Sequence, residues 1–397
     1  MTAESSVENQ GSQDSRTNRK LERLLVYGYY GQRNTGDDAM LYAFLLQFAS
    51  KPVEFMITCG EERPAIPENA ERKVVFVKTS PFAILTSLVR ASAVVIAGGH
   101  HFSDYGRRTN ALVMQGRIWV LSVLAMVLRK RIYLVSVGLG PFRSRLTALL
   151  AKSSCLLADD MSVRDIESMA EARRLGLSAR AMLSFDMSAL LTSEEAAKRP
   201  ESYGKPKVLG ASITPISGTH NGVEELDLAF SDCLSTALSS WLGKNPEWTL
   251  RLFVFHGKLK RQVTHDADIT KRLWSQLAPS GKVTLVEYNK NPTAVMDEVA
   301  ECTAFIGMKF HACLFAYLAD IPLIVIPYHP KCVSLANEIG LPVDAILHPS
   351  EGMRRRLVEL LDYLIGSPEA FRPRLPREIA RERAKSAFDA ILGSNMQ

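Results

Sequence analysis

The stretch that most constrains the fold runs from Phe305 to Lys331, FIGMKFHACLFAYLADIPLIVIPYHPK. It reads as strand, tight turn, helix, second strand and loop. Thr303 to Ile306 is a short apolar strand and Gly307 a permissive turn. Ala312 to Ala319 is apolar and rich in helix formers, with no Gly or Pro. Leu323 to Ile326 is a second buried strand, bracketed by Pro322 and Pro327. Lys309 and His311 fall where the first strand hands over to the helix, the position of the ligand crevice in an open α/β sheet. Amide groups at a helix start, with a lysine beside them, suit a phosphate or carboxylate. Lys331 ends the following loop and belongs to the same rim. Two solvated lysines and a capping histidine are the ordinary structural alternative.

The same grammar runs through the first half of the chain. Leu24 to Tyr27 is a buried strand, followed by a glycine-punctuated loop from Gly28 to Asp38 and a helix from Ala39 to Ala49. Asp37 or Thr35 is the expected cap of that helix. The loop is neither a Walker A motif, because Asp37 and Asp38 follow Gly36, nor GxGxxG. Acidic residues at a helix start repel a diphosphate but suit the helix dipole or a sugar's hydroxyls. Val53 to Thr58 and Lys73 to Val77 are further strands. Ala93 to Ala97 is a strand that exits through Gly98, Gly99, His100 and His101. Two adjacent histidines point apart, so no metal site is expected. Ile132 to Gly140 is a strand with a glycine-rich exit, and Met161 to Asp165 another, with Arg164 able to grip a carboxylate bidentately or to pair with a neighbouring Asp.

Glu194 to Pro206 is charged and holds two prolines, the mark of a linker. Strands and helices alternate again after it, from Val208 onward. Two successive sets of this kind give an α/β protein of two Rossmann-like, doubly wound domains facing a cleft. The expected division is a disordered tail at 1–20, a first domain at 21–195, a linker at 196–206, a second domain at 207–366 and a C-terminal helical segment at 367–397. That last segment is expected to pack back on the first domain or to lie exposed.

Charge and cysteine usage narrow the partners. A net charge of +6 over 397 residues is mildly basic. It suits acidic small molecules or an anionic membrane surface, and does not argue for nucleic acid. The six cysteines form no CxxC pair and sit among apolar residues, so reduced core thiols and a cytoplasmic location are expected. The most membrane-like run, Ile118 to Leu128, is 11 residues, short of the ~20 a spanning helix needs. It reads as a buried helix, with an interfacial contact as the minority reading. The arginines and lysine of the last segment (Arg372, Arg374, Arg377, Arg381, Arg383, Lys385) read as a solvated face, with membrane contact the alternative.

Several of these motifs together resemble the polysaccharide pyruvyl transferase family. Gly31 to Leu41, GQRNTGDDAML, is similar to that family's opening Gly-x-x-Asn-x-Gly-Asp-Glu loop. Gly98-Gly99 and Ser136 to Pro141 resemble its second and third glycine loops. Val163-Arg-Asp165 and Asp186 match its Arg-Asp/Glu and Asp-Pro positions. Ile306-Gly-Met-Lys-Phe-His311 resembles its Gly-Met-Arg-x-His signature, and Tyr328-His-Pro-Lys331 its Tyr-Asp-x-Lys. The chain departs at Lys309 for Arg, His100 for Gly, Asp38 for Glu and Met187 for Pro.

The resemblance implies a GT-B-like cytoplasmic enzyme, in contact with the inner membrane face or free of it. It would place pyruvate from phosphoenolpyruvate on a sugar diol, as a ketal, with a saccharide acceptor expected to be lipid-linked. No cofactor and no metal are expected. The expected catalytic residues are His311, Lys331 and Arg164. Lys309, Gly307 and His329 would bind the donor. Asn34, Gly36, Asp37, Asp38, Gly98, Gly99 and His100 would face the acceptor. A nucleotide-sugar glycosyltransferase and a non-catalytic scaffold of polysaccharide assembly are the alternatives.

Overall fold

A computed structural model of the chain describes residues 21–104, 108–192, 207–216, 224–259 and 266–393. The expected tail at 1–20 and linker at 196–206 lie outside these. The first sheet has seven parallel strands: β1 (Arg23–Tyr30), β2 (Glu54–Cys59), β3 (Val74–Lys78), β4 (Ala93–Ala97), β5 (Arg131–Val137), β6 (Asp160–Val163) and β7 (Ala181–Leu183). Their order in the sheet is β3-β2-β1-β4-β5-β6-β7. The second sheet has five parallel strands: β8 (Lys207–Ser212), β9 (Trp248–Phe253), β10 (Val283–Val286), β11 (Ala304–Gly307) and β12 (Leu323–Val325), in the order β10-β9-β8-β11-β12. Both are doubly wound, and each changes winding direction beside its first strand, between β1 and β4 and between β8 and β11. Ligand crevices form at such points.

The alternation of side chains along the strands assigns them to two cores. Leu24, Val26, Val95 and Val135 point to one face of the first sheet, under helix α1 (Thr35–Leu46), and their apolar cluster runs on without a break into the second domain. Leu25, Val94, Ile96 and Leu134 point to the other. Helices α2 (Pro81–Arg90), α3 (Arg108–Val127), α4 (Arg145–Leu157) and α5 (Ile166–Arg174) cover that second face with Leu88, Ile118, Ala151 and Met169. Strands buried on both faces read as continuous apolar runs, which is why they were visible in the sequence.

Four local readings need correction. Asn34, not Asp37 or Thr35, caps α1: its Oδ1 accepts from the Gly36 amide (3.3 Å), which leaves Asp37 and Asp38 in the first turn. The helix of the Phe305–Lys331 stretch spans Phe310–Leu318, because Lys309 holds extended backbone and ends the turn, so His311 lies inside the first turn. Lys331 is not in a loop. Pro330 at the first position and His329 as cap, its Nδ1 accepting from the Lys331 amide at 3.1 Å, start a helix at Pro330–Glu338. The helix expected to be buried at Ile118–Leu128 begins ten residues earlier, at Arg108, and only its inner stripe is covered.

The two domains meet tightly. The Thr35 amide donates to the Phe255 carbonyl (2.9 Å) and the Gly257 amide to the Arg33 carbonyl (2.9 Å). The Tyr288 hydroxyl donates to Asp38 Oδ2 at 2.7 Å. The helix Arg377–Ser386 returns to the first domain, where Arg383 donates to the Ser184 carbonyl (2.9 Å) and also pairs with Glu338. Phe388 then packs its ring on Phe44 (5.8 Å between centroids).

Candidate active site

A cavity of about 260 Å³ lies between the carboxyl ends of the two sheets. The first domain lines it with Asn34 and Asp37 after β1, Gly99 and His100 after β4, and Arg164 after β6. The second domain lines it with Lys309 and His311 after β11, and Tyr328 and Lys331 after β12. Residues up to 297 positions apart in the chain thus meet because each sits one turn beyond a strand end.

His311 is held from two sides. Its Nε2 faces Asp186 Oδ2 at 3.5 Å, while its Nδ1 lies over Gly36, so close that a Cβ there would stand 1.9 Å away. Only glycine lets the first domain's helix start approach this ring. Nε2 is buried against Asp186, and Nδ1 faces Gly36 at the edge of the cavity that the residue lines. Burial lowers the imidazole's pKa below its ordinary value. The Asp186 carboxylate opposes that shift, and Arg164 and Lys331 add to it. The ring is therefore neutral at pH 7.

Asp186 links this ring to Arg164. Burial opposes ionisation of Asp186, but His311, Arg164 and the Ser188 amide (2.9 Å) outweigh it and hold the carboxyl well below the usual range. Arg164 Nη1 stands 3.5 Å from the same Asp186 oxygen, Nε donates to Asp165 Oδ2 (3.1 Å), and Nη2 meets His100 Nδ1 (3.3 Å). The guanidinium lies over the Phe310 ring, 4.6 Å from its centre. With its nitrogens so engaged, Arg164 has little of its fork left for a ligand carboxylate, and its geometry is that of a positioning residue.

The cations divide differently from what their spacing implied. Lys309 pairs with the buried Asp266 at 3.1 Å. Lys331 has no carboxylate within ion-pair distance among the described residues; its ammonium stands 5.6 Å from the Tyr328 ring centre. Burial pulls its pKa down to about 8, with Arg164 and Lys309 helping. His329, the cap of Pro330–Glu338, is not in the cavity wall; burial and Lys331 hold it far below its usual pKa. Gly307 packs on Cys313 rather than opening to the cavity.

Opposite these cations sit two carboxylates. Asp37 accepts from the Asn34 side-chain amide (2.6 Å) and lines the cavity; burial, reinforced by Asp38, raises its pKa to about 7. Asp38 is fully buried, accepting from the Gly31 amide (3.3 Å) and from Tyr288, and burial raises it to about 7 as well. Gly98 and Gly99 both hold left-handed backbone, and a Cβ on Gly98 would meet Met40 Sδ at 2.5 Å. Asp186, Asp266 and Tyr288 were not singled out as site residues from the sequence. Asp186 had one signal, its place after a short strand in the family's Asp-Pro position; Tyr288 had none, because its partner is 250 residues away.

The family model described as "Polysaccharide pyruvyl transferase" matches residues 34–330, about three quarters of the chain. No curated protein sequence matches it. In structure it is similar to the UDP-GlcNAc 2-epimerase of Neisseria meningitidis bound to UDP-GlcNAc, with a TM-score of 0.57 at 12% identity over 94% of this chain and 100% of that one. The UDP-GlcNAc 2-epimerase of Methanocaldococcus jannaschii is similar at 0.57 and 8% identity, over 94% and 99%. At such identities the likeness speaks for the GT-B-like fold of two Rossmann-like domains.

Proposed function

Because this chain belongs to the polysaccharide pyruvyl transferase family, we propose that it transfers pyruvate from phosphoenolpyruvate to two hydroxyls of a saccharide acceptor, as a ketal. The observation that carries this reading is the meeting, across one small cavity, of Lys331, which has no ion pair among the described residues, and the imidazole of His311 with the raised carboxyl of Asp37. At about 260 Å³ the cavity has room for a three-carbon donor.

Phosphoenolpyruvate brings a phosphate and a carboxylate. Lys331, with the amides at the starts of the helices Phe310–Leu318 and Pro330–Glu338, would hold them. These negative charges offset the Arg164 and Lys331 fields that depress His311, so its pKa rises and it takes up a proton. The imidazolium then delivers that proton to C3 of the enol. C2 becomes oxocarbenium-like, and an acceptor hydroxyl attacks it while Asp37 takes the hydroxyl proton. Inorganic phosphate leaves C2, the second hydroxyl attacks, and its proton departs with the phosphate. Protons and bonds balance without a cofactor. Asp186 and Arg164 act by fixing the ring, and the acceptor would lie along Asn34, Asp37, Gly99 and His100. A lipid-linked acceptor on the cytoplasmic side of a membrane fits the apolar surface beside this cavity.

The test is calorimetry in buffers of different ionisation enthalpy. Phosphoenolpyruvate is expected to bind with proton uptake at pH 7.5, the uptake falling in His311→Ala to the smaller share that Lys331 and Asp37 contribute, while nucleotide sugars do not bind. Binding of a nucleotide sugar with none of phosphoenolpyruvate would sink the reading in favour of glycosyl transfer.

A further inference from the structure

Helices α2 and α3 are apolar on the side turned away from the sheet. On α2, Phe82 is 78% exposed and Val89 56%. On α3, Val113, Val120, Leu124 and Val127 form an exposed stripe at heptad spacing, broken only by Arg117. The window Asn110–Val127 has a mean hydropathy of 1.5, long and apolar enough for a membrane span, yet 33% of it is buried on the sheet. Ile118, Leu121 and Ala125 anchor that inner face, so the helix is part of the domain and its greasy side is left over.

The charge around this surface is one-sided. From Lys78 to Ala158 the chain has eleven Lys and Arg and a single Asp, although the whole molecule has a net charge of only +6. That one acid, Asp104, is buried, where it accepts from the Arg143 and Ser144 amides (2.6 Å each) and from Thr147. Arg90, Arg117 and Arg129 are exposed, Arg117 within the apolar stripe and Arg90 and Arg129 just beyond the ends of their helices' apolar runs. An apolar face ringed by cations and free of exposed acids matches an anionic bilayer surface, and matches a second copy of itself poorly.

A groove of about 890 Å³ separates the two helices, walled by Leu85, Leu88 and Val120 among others. Its inner end shares Tyr29, His101 and Met114 with the wall of the catalytic cavity. We propose that the outer face of α2 and α3 docks on an anionic lipid bilayer, and that the groove opens the active site toward that surface. The docking rests on the surface alone and not on the reaction assigned above. The basic C-terminal segment is a weaker candidate, since Arg372, Arg377 and Arg383 are engaged inward by Asp320, the Leu318 carbonyl and Glu338.

The experiment is flotation of the full chain with phosphatidylcholine vesicles, with and without phosphatidylglycerol. The wild type is expected to float only with the anionic vesicles, less so as salt rises. Phe82→Asp with Val120→Asp should lower the bound fraction at least tenfold, and Arg90→Glu with Arg129→Glu should lower it and flatten the salt dependence. Hydrogen exchange of the unaltered protein provides a readout independent of any variant: peptides covering α2 and α3 should gain protection on adding anionic vesicles. No flotation of the wild type, unchanged flotation of both variants, protection elsewhere only, or a dimer that the apolar substitutions dissociate would each overturn the proposal.

Discussion

The two halves of the cavity are built to one plan and charged in opposite senses. In the first domain a central strand, β1, ends in a capped loop and a helix whose first turn carries Asp37 and Asp38. In the second, β11 ends in a turn and a helix whose start carries Lys309 and His311, with Lys331 beside them. Both helix starts offer amides to an anion. Only the second is free to do so, because buried carboxylates already occupy the field of the first. On the reaction proposed above, the difference would separate a donor side from a hydroxyl-activating side; the His311 ring lies at the seam, its edge on Gly36.

Breaking the seam should have the largest effect. His311→Ala removes the proposed acid and is expected to cut kcat by ~10²–10⁴-fold with the fold intact by circular dichroism. Gly36→Ala leaves every ionisable group in place but puts a methyl where the His311 ring now lies, since the Cβ would stand 1.9 Å from Nδ1. It should approach the same loss. Near-normal turnover in Gly36→Ala would mean the ring works from another position.

The donor side is tested by Lys331→Ala. Loss of the cavity lysine that has no carboxylate within ion-pair distance among the described residues should raise the donor KM by ~10–10²-fold and alter kcat less. The wild type offers an internal control. Lys331 is charged below its pKa of about 8, so donor affinity should hold up to that pH and fall above it. Lys331→Ala should lack that limb, and a profile unchanged by the substitution would assign the limb to another group.

On the opposite side, Asp37→Asn should lower kcat by about 10²-fold while stabilising the protein. The carboxyl's pKa rises from 3.8 to about 7 on folding, burial being the first cause. A raised folded-state value gives stability that is full at low pH and is lost as pH rises through 7. Removing the charge should therefore raise Tm most at pH 8, by roughly 4 kcal/mol of stability, less at pH 5, and hardly at all below pH 4, where both states are protonated. A lower Tm at pH 8 would show that Asp37 is a structural anion.

Most of the architecture was legible because parallel strands buried on both faces announce themselves as apolar runs between glycine turns. His311, Lys309 and Lys331 were legible for a related reason: strand exits are where open sheets put their chemistry. What the sequence concealed were partners chosen by tertiary approach. Lys309 and Lys331 look equivalent along the chain, yet one meets Asp266 and the other has no carboxylate within ion-pair distance among the described residues. Asp186 could be matched to a motif but not seen to grip the imidazole from 125 positions away. The outer stripe of α3 was misjudged because an apolar run predicts burial, and nothing local says that half of it faces outward.

Asp37 and Asp38 are neighbours with pKa values raised to the same level, and the smallest expected effect separates them. Asp38 receives the Tyr288 hydroxyl from the other domain at 2.7 Å, a hydrogen bond that favours its ionised form against burial. Tyr288→Phe removes that donor and pushes the Asp38 pKa further up. The cost falls on the charged state alone, so it should be small at pH 6, where the carboxyl is mostly protonated, and grow to about 1–2 kcal/mol at pH 8. Thermal melts of the variant against the wild type at the two pH values read this directly, and kcat at pH 6 should change less than twofold. An equal loss of Tm at both pH values would mean that the bond holds the domains together as a neutral contact, and that the carboxylate of Asp38 is not what the tyrosine stabilises.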